Sequence, residues 1–369
     1  AAAAPASAVR SPAAALVFEA SPPYLEAVQA DLVGEAIELV PCLGPDFCRS
    51  LSEELCARVV AVVGRPHDVT ALFRPCFSQL RLVQSTHYMY ARLGDVPPAT
   101  AVARYAPDWQ RDYGAEPIAE FAIAAAFEWL YRLGATSARF GACAWAADAP
   151  AGCPTDAELM THPTLMGQTM GIMGYGVIGR AVARRAAGLG MRVVATKRRG
   201  PFEPPPPPLA WLGDDNDRLL AEADFVVVVL PGRLTGIINR TSLGLMKPGA
   251  VLIPTSANPV DFDALYDALA GRRIGGAVVD VWPHGCWHFP EQTCGSPYGA
   301  PAVPYAGGPI ERLDNALVLP GMAMRDAKFW ARSASFVAEN LRRLLRGLPL
   351  EGVVRNGTGA NADAVAMWL

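Results

Sequence analysis

The sequence has 369 residues, which at roughly 100–200 residues per domain predicts two domains or three. Its hydrophobic fraction of 51% and charged fraction of 18% predict a folded core and exclude disorder for most of the chain. The net charge of −3 excludes a global basic field that would attract nucleic acid, and no apolar run reaches the roughly 18–20 residues of a membrane-spanning helix. The eight cysteines include no CxxC pair. We interpret them as small core or surface residues in a reducing compartment and not as a disulfide framework.

The chain begins with a low-complexity segment, residues 1–13, which is rich in alanine and contains no acidic residue. Two interpretations remain open, namely the stub of an organelle transit peptide and a flexible tail. The compartment is accordingly predicted as a chloroplast, a mitochondrion or the cytoplasm. At the other end, residues 357–369 are predicted to form a tail.

From residue 14, short apolar runs alternate with amphipathic stretches. Strands are predicted at 15–20, 36–40, 58–64 and 81–86, with helices at 23–32 and 45–57. This alternation predicts a parallel sheet with helices on both faces. A long helix is predicted over Glu116–Arg132, because a proline lies in its first turn and Gly134 follows its end.

A second alternation starts near residue 168. Strands are predicted at 169–174, 192–196, 224–230, 250–255, 276–281 and 316–320, with the last long helix at Asp326–Arg346. The proline run at 201–208 predicts an exposed polyproline II loop, and the aperiodic residues 284–314 are interpreted as a functional loop or an insertion. The fold class is therefore predicted as α/β, with two Rossmann-like lobes that each contain a doubly wound parallel sheet.

The strongest local motif is Gly174-Tyr-Gly176-Val-Ile-Gly179. It follows an apolar strand, opens a helix and leads to a second strand, which is the context that a dinucleotide-binding turn requires. Gly174 permits the tight turn, Gly176 lets the main chain approach a pyrophosphate, and Gly179 lets helix and strand pack closely. The helix, with Val177 and Ile178 in its first turn, offers free N–H groups and its positive dipole end to the phosphates. A glycine-rich turn without a ligand is the alternative.

The strand after this helix ends in Thr196-Lys197-Arg198-Arg199. A carboxylate at this place would bind the ribose 2′-hydroxyl of NAD, whereas cations favour the 2′-phosphate of NADP. NADP is therefore predicted over NAD, with Lys197 and Arg198 as its ligands. A solvated basic turn is the alternative.

Four segments resemble the D-isomer-specific 2-hydroxyacid dehydrogenase family, namely residues 162–199, 223–253, 261–282 and 339–354. This family includes phosphoglycerate dehydrogenases, glyoxylate/hydroxypyruvate reductases and formate dehydrogenase. The resemblance implies a substrate lobe made of residues 14–135 and 325–356. A nucleotide lobe of residues 136–324 would be inserted between the two parts.

The family transfers a hydride between a nicotinamide cofactor and a 2-hydroxy acid. The resemblance implies cofactor contacts at Leu230 and Pro231, and at Asp280 a contact with the nicotinamide amide. Capping of the strand end is the alternative role of Asp280. A homodimer around the helix Glu116–Arg132 is also implied, while burial of that helix between the two lobes, or a larger assembly, stays open.

The catalytic groups of the family are an arginine, a glutamate and a histidine, and the matching positions of this sequence hold none of them. They hold Ser256 or Ala257, Gly285 and Gly321, respectively. The small loop that binds the substrate carboxylate in the family is replaced here by the bulky residues His87–Tyr90. These departures predict little ordinary 2-hydroxyacid dehydrogenase activity, because both the acid/base group and the carboxylate clamp are missing.

Two hypotheses for the function follow. The favoured one is a catalytically degenerate dinucleotide-binding protein that serves as a binding, regulatory or structural subunit. The alternative is an active NAD(P)-dependent oxidoreductase of the 2-hydroxyacid or 2-oxoacid type with rearranged catalytic groups, for which His284 and His288 are candidate bases. Cys286 and Cys294 lack the close, paired spacing of metal ligands, so no metal site is predicted.

Overall fold

The structure is a computed structural model, and it forms two compact α/β units, residues 1–110 with 327–369 and residues 111–326. Each unit contains one sheet with helices packed on it, which confirms the predicted fold class. The described residues are 12–18, 22–42, 50–64, 76–86, 96–105, 114–143, 153, 163–200, 203–232, 234–282, 310–319, 321–323 and 327–355.

The first unit contains the strands β1 Ala13–Val17, β2 Ile37–Pro41, β3 Val59–Gly64, β4 Leu82–Ser85, β5 Ala101–Ala103 and β13 Val353–Arg355. Its described helices are α1 Pro22–Asp31, α2 Glu53–Arg58 and α9 Ala327–Arg346. The second unit contains β6 Thr169–Met173, β7 Arg192–Thr196, β8 Trp211–Gly213, β9 Phe225–Val228, β10 Val251–Pro254, β11 Gly276–Val279 and β12 Ala316–Val318. Its described helices are α3 Ala115–Tyr131, α4 Leu133–Cys143, α5 Val177–Gly188, α6 Asn216–Glu222, α7 Arg240–Leu245 and α8 Phe262–Ala270.

The first sheet has the strand order β13-β5-β4-β3-β1-β2. Its strands are parallel except for β13, which pairs antiparallel with β5. The central strand β3 has the sequence VVAVVG and is buried along its whole length. A run of branched apolar residues without a polar side chain is typical of a strand that is covered on both faces.

A buried polar network holds α9 against this sheet. Nδ2 of Asn340 donates to Oε1 of Gln84 at 2.6 Å and to the carbonyl oxygen of Glu351 at 3.0 Å. Oδ1 of Asn340 accepts from the N–H of Glu351 at 2.9 Å. Because buried amides destabilise a fold unless they are hydrogen-bonded, these bonds satisfy the amide groups and link α9 to β4 and to the residue two positions before β13.

The second sheet has the order β12-β11-β10-β9-β6-β7-β8, and all of its neighbouring strands are parallel. The strand β6 lies between β7 and β9, so the direction of winding reverses at β6. Open parallel sheets bind ligands outside the carboxyl ends of their strands at such a reversal. The glycine motif follows β6 directly and therefore lies at this point.

Helix α3 was predicted within the first lobe, but it packs in the second unit. Its alanine-rich face is buried in the same core cluster as the apolar face of α5. Glu116 of α3 also pairs with Arg184 and Arg185 of α5 at 2.7 and 2.6 Å. The units therefore divide at 110/111 and 326/327, and not at the predicted 135/136 and 324/325.

The strands β5, β8 and β13 and the helix α4 were not predicted from the sequence. The three strands have only 3 residues each, which is too short for a periodic pattern. Helix α4 contains two glycines, which are poor helix formers.

The polyproline II prediction is wrong for the end of the proline run. Residues 206–209 form a turn in which the N–H of Leu209 donates to the carbonyl oxygen of Pro206 at 3.0 Å. Leu209 is buried, so burial of its side chain draws the loop back to the core. Within the aperiodic segment 284–314, the described part contains a short 3₁₀ helix, Ile310–Arg312. The predicted tails lie almost wholly outside the described residues.

The prediction that the cysteines form no disulfide framework is also wrong. Cys56 is bonded to Cys76 and Cys143 to Cys153, with Cα separations of 5.5 and 5.7 Å. Cys42 is also disulfide-bonded. The chain returns Cys76 to the last turn of α2 over a separation of 20 residues, a proximity that spacing alone does not reveal. Paired cysteines remove the support for a reducing compartment.

None of the helices within the described ranges is long and apolar enough to cross a membrane.

Candidate functional site

The glycine motif forms a tight turn between β6 and α5. Gly174 has a φ of +106°, which only glycine adopts without strain. A Cβ atom on Gly174 would lie less than 3.0 Å from the carbonyl oxygen of Val229, and one on Gly179 would lie equally close to the carbonyl oxygen of Gly174. A Cβ atom on Gly176 would meet nothing within 4 Å. The chain's own packing therefore requires the first and third glycines, whereas the second leaves open space beside the main chain.

Main-chain hydrogen bonds tie this turn to the neighbouring strand. The N–H groups of Gly174 and Tyr175 both donate to the carbonyl oxygen of Thr196, at 3.0 and 2.8 Å. The next N–H, that of Lys197, donates to the carbonyl oxygen of Gly213 at 2.9 Å. The glycine turn and the basic turn thus lie side by side at the ends of β6 and β7.

The N-terminus of α5 points out of the glycine turn. The helix begins at Val177, its N-cap is Gly176, and its first turn contains no acidic residue. No side chain caps its first N–H groups. Because the free N–H groups and the helix dipole both favour negative charge, this end of α5 suits a phosphate.

Cationic side chains lie close to the same turn. Burial raises the pKa of Tyr175, and the positive charges of Arg180 and Arg184 oppose this rise. The tyrosine hydroxyl therefore stays protonated at neutral pH and can donate a hydrogen bond. Arg180 was not predicted from the sequence as a charged neighbour of this turn. It could have been identified because it directly follows Gly179 at the start of α5.

The basic turn follows β7 without a carboxylate. Thr196 is buried, Lys197 is half-buried and Arg198 is exposed. The geometry agrees with the position at which the ribose end of a dinucleotide meets the second strand of this fold. The structure thus brings the predicted phosphate and ribose ligands to one edge of the sheet.

The ends of β9 and β10 are joined by side chains that bond to the main chain. Oγ of Ser256 donates to the carbonyl oxygen of Leu230 at 2.7 Å, and Nδ2 of Asn258 donates to that of Gly232 at 2.5 Å. Leu230 is half-buried and Pro231 is exposed. Ser256 and its neighbour Ala257 therefore place no cation at the end of β10.

Gly321 follows β12 in a turn that is bonded to Asp280, the residue after β11. Gly321 has a φ of +80°. Its N–H and that of Met322 donate to Oδ1 of Asp280 at 2.9 and 2.7 Å, and the N–H of Ala323 donates to Oδ2 at 2.8 Å. Asp280 is buried, with 2% of its surface exposed.

The remaining predicted site residues lie outside the described residues. These are His87–Tyr90, His284, Gly285 and His288. Their assigned roles stay predictions. Within the described part of the chain, no three histidine, cysteine, aspartate or glutamate side chains are grouped as metal ligands.

A family model described as "D-isomer specific 2-hydroxyacid dehydrogenase, NAD binding domain" matches residues 124–323, which is more than half of the chain. The chain belongs to the D-isomer-specific 2-hydroxyacid dehydrogenase family. The match includes the glycine turn, the basic turn, Asp280 and Gly321, and it confirms the resemblance seen in the sequence.

Curated members of the family align with about half of this chain. The D-3-phosphoglycerate dehydrogenase of Mycobacterium bovis is 32% identical over 213 residues, which cover 56% of this chain and 36% of that protein. The glyoxylate reductase of Korarchaeum cryptofilum is 36% identical over 200 residues, which cover 50% of this chain and 53% of that protein. The chain therefore spans about half or less of the length of these relatives.

Solved structures of the family align with nearly the whole chain. An NADPH-dependent glyoxylate/hydroxypyruvate reductase from Sinorhizobium meliloti has a TM-score of 0.72 at 21% identity, covering 94% of this chain and 98% of that one. A 2-hydroxyacid dehydrogenase from Ketogulonicigenium vulgare has a TM-score of 0.71 at 21% identity, covering 92% and 98%. At these identities the likeness shows a shared fold.

Proposed function

We propose that this protein is an NAD(P)-dependent oxidoreductase that interconverts a small 2-hydroxy acid and the corresponding 2-oxo acid. The observation that carries the proposal is the glycine turn, in which Gly174 and Gly179 serve packing and Gly176 leaves room for a ligand. The family membership supports the reaction class, because the similar proteins are dehydrogenases and reductases.

The described residues fit a nicotinamide dinucleotide from its adenosine end to its pyrophosphate. The N–H groups from Gly176 to Gly179, including those of Val177 and Ile178, would hold the pyrophosphate. Leu230 and Pro231 would line the cofactor where β9 ends. A bound nicotinamide would supply or accept the hydride, and the chain itself must hold the substrate carboxylate and move one proton at the substrate oxygen.

We propose NADP(H) over NAD(H) as the cofactor. Lys197 and Arg198 follow β7 where a carboxylate would otherwise accept from the ribose 2′-hydroxyl. Two cations at this place attract a 2′-phosphate and leave the two hydroxyls of an NAD ribose without an acceptor.

The proton transfer requires a base outside the family's usual position, because Gly321 has no side chain that titrates. His284 and His288 follow the end of β11 in the sequence and are the candidates for this role. Imidazole suits the task because its pKa lies near neutral pH.

A second candidate function is dinucleotide binding without catalysis, in a regulatory or structural subunit. The observation that favours it is the bonding of the 256–258 and 321–323 segments to the chain's own groups. At these two places the family positions its arginine and its histidine.

Titration and turnover with the same preparation separate the two candidates. Both predict that NADPH binds and that Gly176→Ala weakens this binding at least about tenfold. Only the oxidoreductase oxidises NADPH in the presence of glyoxylate, hydroxypyruvate or another small 2-oxo acid, at about 1 to 10³ per second, and His284→Ala or His288→Ala should abolish this turnover. Binding without turnover on the whole panel would select the second candidate, and absence of binding would remove both.

We also propose that the protein forms a homodimer through α3 and α4. Ala124, Phe127, Glu128, Tyr131 and Leu133 line a largely apolar groove of about 630 Å³ on these helices. Exposed apolar surface of this kind commonly marks an interface. Light scattering should give twice the chain mass, and Phe127→Glu should give a monomer. Leu348→Glu, at an exposed leucine of the first unit, is the control. A single-chain mass for the wild type at micromolar concentration contradicts the dimer.

A further inference from the structure

Asp280 is the most completely buried carboxylate of the described second unit and follows β11 directly. An ionised carboxylate only accepts hydrogen bonds, and its two oxygens offer about four acceptor positions. Three of these positions are taken by the N–H groups of Gly321, Met322 and Ala323. The side chain is therefore engaged by a segment that lies 41 to 43 residues further along the chain.

The acceptor arrangement on Asp280 depends on the left-handed conformation of Gly321. Gly321 has a φ of +80°, and its own N–H and the two that follow all donate to the same carboxylate. Successive N–H groups in such a turn form a concave site for an anion. In this protein the carboxylate of Asp280 fills that site, and it fixes the main chain after β12.

A nicotinamide amide would need direct access to Asp280 in order to donate a hydrogen bond to it. Only 2% of the residue is exposed. With three of about four acceptor positions taken by the turn, the amide could reach the carboxylate only if the groups that bury it moved. Each N–H group displaced in that movement would lose a charge-assisted hydrogen bond.

We infer that Asp280 is a positioning residue for the turn 321–323 and that it does not bind the nicotinamide, so that the ADP-ribose half of the dinucleotide provides the affinity. The second part of this inference rests on the proposed function. The glycine turn and the basic turn would contact the pyrophosphate and the adenosine ribose, which both belong to the ADP-ribose part, and they are the groups that would provide this affinity.

Hydrogen exchange of the three amides tests the positioning role without any ligand. In Asp280→Ala the amides of Gly321, Met322 and Ala323 should exchange at least about tenfold faster than in the wild type, since their common acceptor is gone. Asp280→Asn keeps one carbonyl oxygen and should show a smaller acceleration, and it keeps the test valid if the alanine variant fails to fold. Asp217→Asn, at an exposed carboxylate of α6, is the control for loss of charge. Unchanged exchange in both Asp280 variants would overturn the positioning role.

Titration with NADPH and with 2′-phospho-ADP-ribose, which lacks the nicotinamide, tests the second part. The two dissociation constants should agree within about threefold in the wild type, and their ratio should stay the same in Asp280→Asn. A loss of about tenfold for NADPH alone in Asp280→Asn would show that Asp280 binds the nicotinamide. A wild-type dissociation constant that is about tenfold or more lower for NADPH than for 2′-phospho-ADP-ribose would also overturn this part. If neither compound binds, the proposed function fails, and the exchange experiment alone decides the role of Asp280.

Discussion

Two regions at the carboxyl edge of the second sheet differ in what their residues serve. At the glycine turn after β6, the main chain leaves open space beside Gly176, and α5 presents N–H groups to it. At the ends of β10 to β12, Ser256 and Asp280 turn to main-chain groups of the same chain. The first region has room and free N–H groups for a ligand. In the second region, the side chains of Ser256 and Asp280 are hydrogen-bonded within the chain.

This difference shows that the two halves of a dehydrogenase site depend on separate features of one fold. Phosphate recognition needs main-chain geometry, which three glycines preserve. Proton transfer and carboxylate binding need particular side chains, and these can change while the sheet stays intact. Family membership therefore establishes the first half more firmly than the second.

Alanine substitutions in the glycine turn should have the largest effect. Gly174→Ala and Gly179→Ala place a methyl group against carbonyl oxygens and should lower the free energy of unfolding by about 2–4 kcal/mol. Gly176→Ala should leave stability unchanged within about 0.5 kcal/mol, because the methyl group meets nothing. It should still weaken NADPH binding at least about tenfold, since it fills the space for the pyrophosphate.

Chemical denaturation and calorimetric titration measure the two effects separately. Gly188→Ala is the matched control, because it adds a methyl group to open space at the far end of α5. Normal NADPH binding by Gly176→Ala would show that the open space beside the turn is not the ligand site.

Placing a histidine at position 321 should destabilise the protein and add no activity to that of the wild type. A histidine at a φ of +80° is strained by about 1–3 kcal/mol. Turnover should stay at the wild-type level, because catalytic groups that act as a unit are not restored one at a time. Gly321→Asn is the matched variant and should be destabilised less, since asparagine tolerates this conformation. An increase in glyoxylate reduction by Gly321→His would show that the family's site is otherwise intact.

Much of the nucleotide-binding region could be predicted from the sequence. The strand expected at 192–196 is found there, and the one expected at 169–174 ends one residue earlier. These elements can be predicted because each has an uninterrupted apolar pattern and glycines mark where several of them end. The three glycines also occupy the places that the motif assigns to them.

The contacts of Asp280 and the disulfides could not be predicted in the same way. The partners of Asp280 are main-chain N–H groups, which every residue except proline carries, so the sequence contains no sign of the pairing. Cys56 and Cys76 meet because two separate segments pack on one face of the first sheet. Tertiary packing, and not local pattern, determines both.

Reversal of charge at the basic turn should change cofactor choice. Lys197→Asp should weaken NADPH binding by about tenfold and improve NADH binding, because the carboxylate repels the 2′-phosphate and accepts from the ribose hydroxyls. Arg199→Asp changes the same charge two residues further along. It should weaken NADPH binding less, and this weakening should disappear at high salt. Calorimetric titration with both cofactors measures the ratio. Equal affinities of the wild type for NADPH and NADH would contradict the assignment.

The smallest effect is expected where a side chain only joins two strand ends. Ser256→Ala removes the 2.7 Å hydrogen bond to the carbonyl oxygen of Leu230 and should lower the free energy of unfolding by about 1 kcal/mol. The dissociation constant for NADPH should stay the same, because the serine hydroxyl serves the main chain. Ser137→Ala, at an exposed position of α4, is the control. Loss of NADPH binding in Ser256→Ala at unchanged stability would mean that the end of β10 touches the ligand, and the contrast between the two regions would then fail.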